Sequence, residues 1–151
     1  MNVFLIGVDH RIQWLPKQFG SEWDNELKLF ADYLHRECLQ KKAGLIAEEF
    51  SEEALSRSNA ENSIARIVSG RLGVQHMFCD PDSLQRASRR ISTHSEREEY
   101  WLTRLLSANQ QVVLFICGDT HTKPFSDLLK SREHDASILS SGWGRDWMLK
   151  S

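Results

Sequence analysis

The chain has 151 residues, a formal net charge of −2, and 40% hydrophobic and 26% charged residues, a size and balance that fit one globular domain over 1–151. That charge gives nucleic acid no electrostatic footprint, and no stretch approaches the ~20 apolar residues of a membrane span, so both are disfavoured as partners. Cys38, Cys79 and Cys117 lie far apart with no Cys-x-x-Cys pair; they read as buried thiols in a reducing compartment, and without a basic leader the expected location is cytoplasmic.

Residues 3–8 (VFLIGV) form a short apolar run that predicts a first strand, closing on Gly7-Val8-Asp9-His10. Residues 11–20 read as a loop with Trp14, Pro16 and Gly20, after which Ser21 or Asp24 can cap a helix. Over 24–40, Leu27, Phe30, Ala31, Leu34 and Cys38 fall on one stripe at helical spacing. Leu45-Ile46-Ala47 then begins a second buried strand that runs into Glu48 and Glu49. Alternation places Ala47 with Glu49 on one face and Ile46 with Glu48 on the other, without choosing the face that carries the site.

Ser51, followed by Glu52 and Glu53, reads as an N-cap with carboxylates in the first helical turn. The helix breaks near Ser58-Asn59 and resumes through Ile64, Ile67 and Val68 until Gly70 or Gly73. Residues 74–79 predict a third strand, closed by Asp80-Pro81-Asp82. The polar stretch 83–94, with Arg86, Arg89 and Arg90, carries no clear pattern. Ser95-Glu96-Arg97-Glu98 has capping-box spacing before Trp101, Leu102, Leu105 and Leu106.

Residues 111–117 (QVVLFIC) are the longest apolar run and predict a strand buried on both faces. It ends on Gly118-Asp119-Thr120-His121. Pro124 suits the first turn of a helix presenting Phe125, Leu128 and Leu129, and 136–139 predict a last strand. The expected fold class is thus α/β, a three-layer sandwich with a mainly parallel sheet of about five strands and helices on both faces.

In a parallel sheet all carboxyl ends share one rim, so His10, Glu48, Glu49, Asp80, Asp119 and His121 converge there. Two imidazoles and a carboxylate around a crevice suit a catalytic divalent ion, Mn, Zn or Co, held by His10, Glu49 and His121. The same groups suit metal-free acid–base chemistry on water. The catalytic candidates are His10, Glu48, Glu49 and His121, and Asp9, Arg11 and Asp119 are candidates for substrate contacts. The blander readings are loop histidines satisfying backbone groups, and Asp80 and Asp119 as caps or turn formers. Trp143 and Trp147 suit packing or a homodimer contact through the C-terminal tail.

The order strand–Gly-x-x-His, strand–Glu, strand–Gly-x-x-His resembles the superfamily of Tiki proteases, TraB-like proteins, ChaN-like proteins and erythromycin esterases. On this chain the motifs are Gly7–His10, Glu48 or Glu49, and Gly118–His121. The resemblance implies an α/β hydrolase of an ester, amide or related acyl bond in a small-molecule or peptide substrate, with or without a metal. Two alternatives stand beside it: a non-catalytic small-ligand-binding or effector subunit that needs a partner, and a metallophosphoesterase-like enzyme. The latter rests on the likeness of Gly118-Asp119-Thr120-His121 to a Gly-Asp-x-His opening.

Overall fold

The computed structural model describes residues 1–17 and 23–144. Strand β1 (Asn2–Val8) leads into a 3-10 turn (His10–Gln13) capped by the Asp9 side chain, which accepts from the Arg11 amide, and then into a short strand β2 (Trp14–Pro16). The expectation of a plain loop over 11–20 is corrected to that extent. Helix α1 (Trp23–Lys41) buries Leu27, Phe30, Leu34 and Cys38, the stripe read from the sequence. Ser21 and Gly20 lie outside the described residues.

Strand β3 (Leu45–Glu48) is buried throughout and is followed by α2 (Glu52–Arg57), whose N-cap Ser51 accepts from the Ala54 amide as expected. Past the break the chain does not resume as helix at once. Asn59 takes a positive φ of 51° and residues 60–63 form β4 (Ala60–Ser63), antiparallel to β2. Ser63 then caps α3 (Ile64–Leu72), which stops at Gly73 (φ 68°), a left-handed position that glycine adopts without steric cost.

Strand β5 (Gln75–Phe78) ends before Asp80-Pro81, and the polar stretch after it contains α4 (Ser83–Arg89), set by an Asp82/Gln85 capping box. Helix α5 (His94–Ala108) is capped two residues earlier than Ser95, by Thr93 with Glu96 at the third position. Strand β6 (Val112–Gly118), a 3-10 turn (Asp119–His121), α6 (Thr122–Ser131) and β7 (Asp135–Trp143) complete the order. The last strand runs well past the expected 136–139.

Five strands form one parallel sheet in the order β5-β3-β6-β1-β7, so the longest apolar run of the sequence is the central strand. One face carries α1 and α3 over Ile6, Val8, Ile46, Leu114 and Ile116. The other carries α5 and α6 over Val3, Leu5, Ala47, Phe115 and Cys117. Burying long aliphatic and aromatic chains on both faces, at roughly 1.5–3 kcal/mol each, is what holds three layers together. No helix among the described residues is long and apolar enough to cross a membrane. Trp143 packs against Phe30 (5.3 Å) and Tyr33 (4.8 Å) of its own chain, so this half of the expected tail contact is intramolecular, while Trp147 lies outside the described residues.

Candidate functional site

Strands β1 and β6 pair in register, with Val8 opposite Gly118, so the two Gly-x-x-His elements leave the sheet side by side. Each glycine lies against the other motif. A Cβ on Gly118 would stand 2.9 Å from His10 Nε2, and one on Gly7 would stand 2.5 Å from Asp119 Oδ1. Glycine is needed at both places because a side chain of the partner motif occupies the space a Cβ would take.

Glu49 sits between the two histidines. Its Oε1 lies 3.6 Å from His10 Nε2 and its Oε2 lies 3.7 Å from His121 Nε2. Oε1 also accepts the Gly118 amide at 2.9 Å, which ties the end of β3 to the end of β6, and Oε2 accepts from the Arg97 guanidinium. Arg97 reaches Asp80 as well (2.9 Å), and Asp80 accepts in addition from Trp101 Nε1 and from Arg86. Burial works to lower the Arg97 pKa, but the charges of Asp80 and Glu49 together outweigh it and hold the guanidinium above its ordinary value.

The two histidines differ in access. The His121 side chain is 5% exposed, lies between the rings of Trp101 and His94, and bonds through Nδ1 to Glu98 Oε2 at 2.8 Å. The His10 side chain is 45% exposed and bonds through Nδ1 to Gln13 Oε1 at 2.7 Å. The site therefore opens to solvent on the His10 side and closes on the His121 side.

Glu48 points the other way, as strand alternation requires, and lies on the α3 side of the sheet. It is fully buried; its Oε1 accepts from Gln13 Nε2 (3.0 Å) and its Oε2 from His76 Nε2 (2.6 Å) and the Ser63 hydroxyl. Its two oxygens are taken by Gln13, His76 and Ser63, and it is linked to His10 through Gln13. The expected substrate contacts are also engaged elsewhere. Asp9 accepts from the Arg11 amide and guanidinium, and Asp119 accepts the Gly142 amide at 2.8 Å, which anchors the end of β7.

The metal expectation meets an obstacle of arrangement. Glu49 turns a different oxygen to each histidine and one of them is engaged by Arg97. Among the described residues no group of three or more His, Cys, Asp and Glu side chains is disposed to hold a metal ion. His10, Glu49 and His121 come together through Glu49, which meets each histidine with a different oxygen.

Reasoning from sequence missed Gln13, His76, Ser63, Arg97 and Glu98. Glu98 and Arg97 carry a readable signal, since they stand three and four residues before Trp101 and so share the helical face that α5 turns to the sheet. Gln13 and Ser63 carry none, because their partner is set by tertiary placement. Cys117, next to Gly118, is buried, and burial first, then the charges of Glu49, Glu98 and Asp119, push its thiol well above the ordinary value, so it is not an activated nucleophile. In comparisons with protein-family models, curated proteins and solved structures, nothing matches this chain.

Proposed function

We propose that the chain is a hydrolase of an ester, amide or related acyl bond that uses water as its nucleophile. The observation that carries this reading is Glu49: it faces the Nε2 atoms of both Gly-x-x-His histidines at 3.6 and 3.7 Å. These separations exceed a direct N–H···O bond of about 2.7–3.2 Å, and such contacts commonly tighten only when substrate is bound.

His10, on the open side, is the base. A water at its Nε2 adds to the acyl carbon and gives that nitrogen a proton, while the Glu49 carboxylate stabilises the imidazolium that forms. The same proton passes to the leaving oxygen or nitrogen as the acyl bond breaks. His121, held by Glu98, and Arg97 keep the Glu49 carboxylate in place. A divalent ion is not required for these steps, and the donor arrangement does not favour one, so metal dependence is a variable of the test.

The test is turnover of a panel of p-nitrophenyl esters and small amides by wild type, His10→Ala, Glu49→Gln and His121→Ala, each after chelator treatment and again with Mn, Zn or Co. Loss of one proton-transfer group should cost about 10²–10⁴-fold in kcat/KM, with the melting temperature little changed for His10→Ala, whose side chain is half exposed, and lowered for the two buried positions. Absence of turnover across the panel, or variants as active as wild type, refutes the reading. Ligand-dependent thermal shifts without turnover would instead indicate a binding crevice.

A further inference from the structure

The base assigned to His10 needs its Nε2 unprotonated in the resting enzyme, and a free imidazole has two neutral tautomers to choose from. Within hydrogen-bond reach of its Nδ1 is the Gln13 side chain, whose amide could in principle present either its oxygen or its nitrogen. Gln13 itself is fully buried, so that choice is not left to water.

Glu48 makes the choice. A carboxylate oxygen accepts and cannot donate, so the Gln13 group 3.0 Å from Glu48 Oε1 must be its NH2, which turns the amide oxygen toward His10. At 2.7 Å that oxygen accepts from His10, which requires the proton on Nδ1. Glu48 cannot rotate to relax the arrangement, because Ser63 and His76 hold its other oxygen. Reversing the amide would set two oxygens against each other in a buried site and leave its NH2 on the histidine, at a cost of about 1–3 kcal/mol for each unsatisfied group.

We infer that Gln13 and Glu48 are positioning residues that lock His10 in the Nδ1–H tautomer, so that Nε2 is the lone-pair nitrogen presented to the site. The orientation comes from across the sheet: Glu48 lies on the α3 face and His10 serves the α5 face. Ser63, the N-cap of α3, and His76 of β5 are the outer members of this arrangement. For metal-ligating histidines, loss of the partner that fixes the other ring nitrogen costs about 10–100-fold in activity, and a loss of that order is expected for His10.

The catalytic consequence rests on the hydrolase reading, whereas the tautomer does not, and a measurement without substrate separates the two. Long-range ¹⁵N–¹H correlation spectra of the histidine rings are recorded along a pH series, and the tautomer is read above the pH at which the ring resonances stop shifting. Wild-type His10 should show the Nδ1–H pattern. Gln13→Met, similar in length but without an acceptor, should lose it, while His121, fixed by Glu98, keeps its own. If Gln13→Met does not fold, Gln13→Asn replaces it, since its shorter amide cannot span His10 and Glu48, with the same expectation.

An Nε2–H pattern in wild type overturns the inference, as does a His10 tautomer unchanged in a folded Gln13 variant. If the tautomer shifts as expected and no acyl substrate is ever turned over, the positioning stands and the hydrolase reading falls. With turnover established, the Gln13 variant should lose about 10–100-fold in kcat with KM little changed.

Discussion

Gly118→Ala separates the site from the scaffold. Gly118 has φ −56° and ψ 146°, a region alanine occupies freely, so no backbone strain is introduced. The new methyl would stand 2.9 Å from His10 Nε2, 3.3 Å from its Cε1 and 3.5 Å from Glu49 Oε1. Ordinary contact is about 3.5–4.0 Å, so the imidazole must retreat by roughly 0.6–1 Å. His10 is half exposed and can move, which caps the energetic cost near the ~0.5–1.5 kcal/mol of an off-rotamer side chain. The smaller conformational entropy of an unfolded alanine offsets about 0.4–1 kcal/mol of this. The melting temperature should therefore shift by no more than about 3 °C. A displacement of that size at a reacting group is worth on the order of 10²-fold in rate. Parallel thermal denaturation, ester turnover and the His10 ring resonances provide the assay. A variant with normal turnover and unmoved His10 resonances would refute the packing argument, and a large loss of stability would refute the claim that His10 is the part that yields. Gly7→Ala is the contrast. Its methyl would meet Asp119 Oδ1, Thr122 Cγ2 and Ser141 Cβ at 2.5, 3.0 and 3.2 Å, and overpacking there should cost about 1–3 kcal/mol, read as a melting temperature lower by about 4–10 °C.

Glu48→Ala removes one acceptor and leaves Gln13, Ser63 and His76 without it in the interior, so urea denaturation should show a loss of about 3–5 kcal/mol; a loss below 1 kcal/mol would contradict the buried network. Burial drives the Cys79 thiol up to about 12 from an ordinary 9.0, so its stabilising contribution is whole below about pH 9 and is lost as pH rises toward 12. Cys79 should contribute a fall of about 1.4 kcal/mol per pH unit across that window, to which the buried Cys117 thiol adds in the same direction, so Cys79→Ala should lessen the slope without abolishing it. The native protein should also leave Cys38, Cys79 and Cys117 unreactive toward a disulfide reagent at neutral pH, and rapid labelling of any of them would show that burial misjudged. Trp143→Ala should lower stability by about 2 kcal/mol through its lost packing on Phe30 and Tyr33, with the elution volume in size exclusion unchanged.

The strands and the main helices were legible because each buries a face at a fixed period. The unbroken apolar run 112–117 announced a strand covered on both sides, and the stripe Leu27–Phe30–Leu34–Cys38 announced α1. Parallel order brought the two histidines to one rim, and alternation correctly set Glu48 and Glu49 on opposite faces. Which face held the site was not legible, since it depends on β6 lying between β3 and β1, a matter of non-local pairing. The polar stretch around Asp82 hid a helix because its stability comes from caps and exposed ion pairs rather than from an apolar stripe. The position of Arg97 was not legible either, since its contact with one Glu49 oxygen joins α5 to the end of β3 across 48 residues of sequence.

The central position of β6 also governs how the molecule comes into being. Strands β1 and β3 are not paired with each other; each pairs with β6, which arrives about 65 residues after β3 ends. A growing chain that has not yet produced residues 112–118 holds two apolar strands with nothing between them, and their edges are open to pairing with any other extended segment. Closure of the sheet, burial of Glu49 against the Gly118 amide and delivery of His121 are consequently one event. A shortened chain that ends before β6 keeps the β3–β5 pair but lacks His121 and the Gly118 amide that engages Glu49, and the interval before that strand emerges is the period of greatest exposure to misassembly.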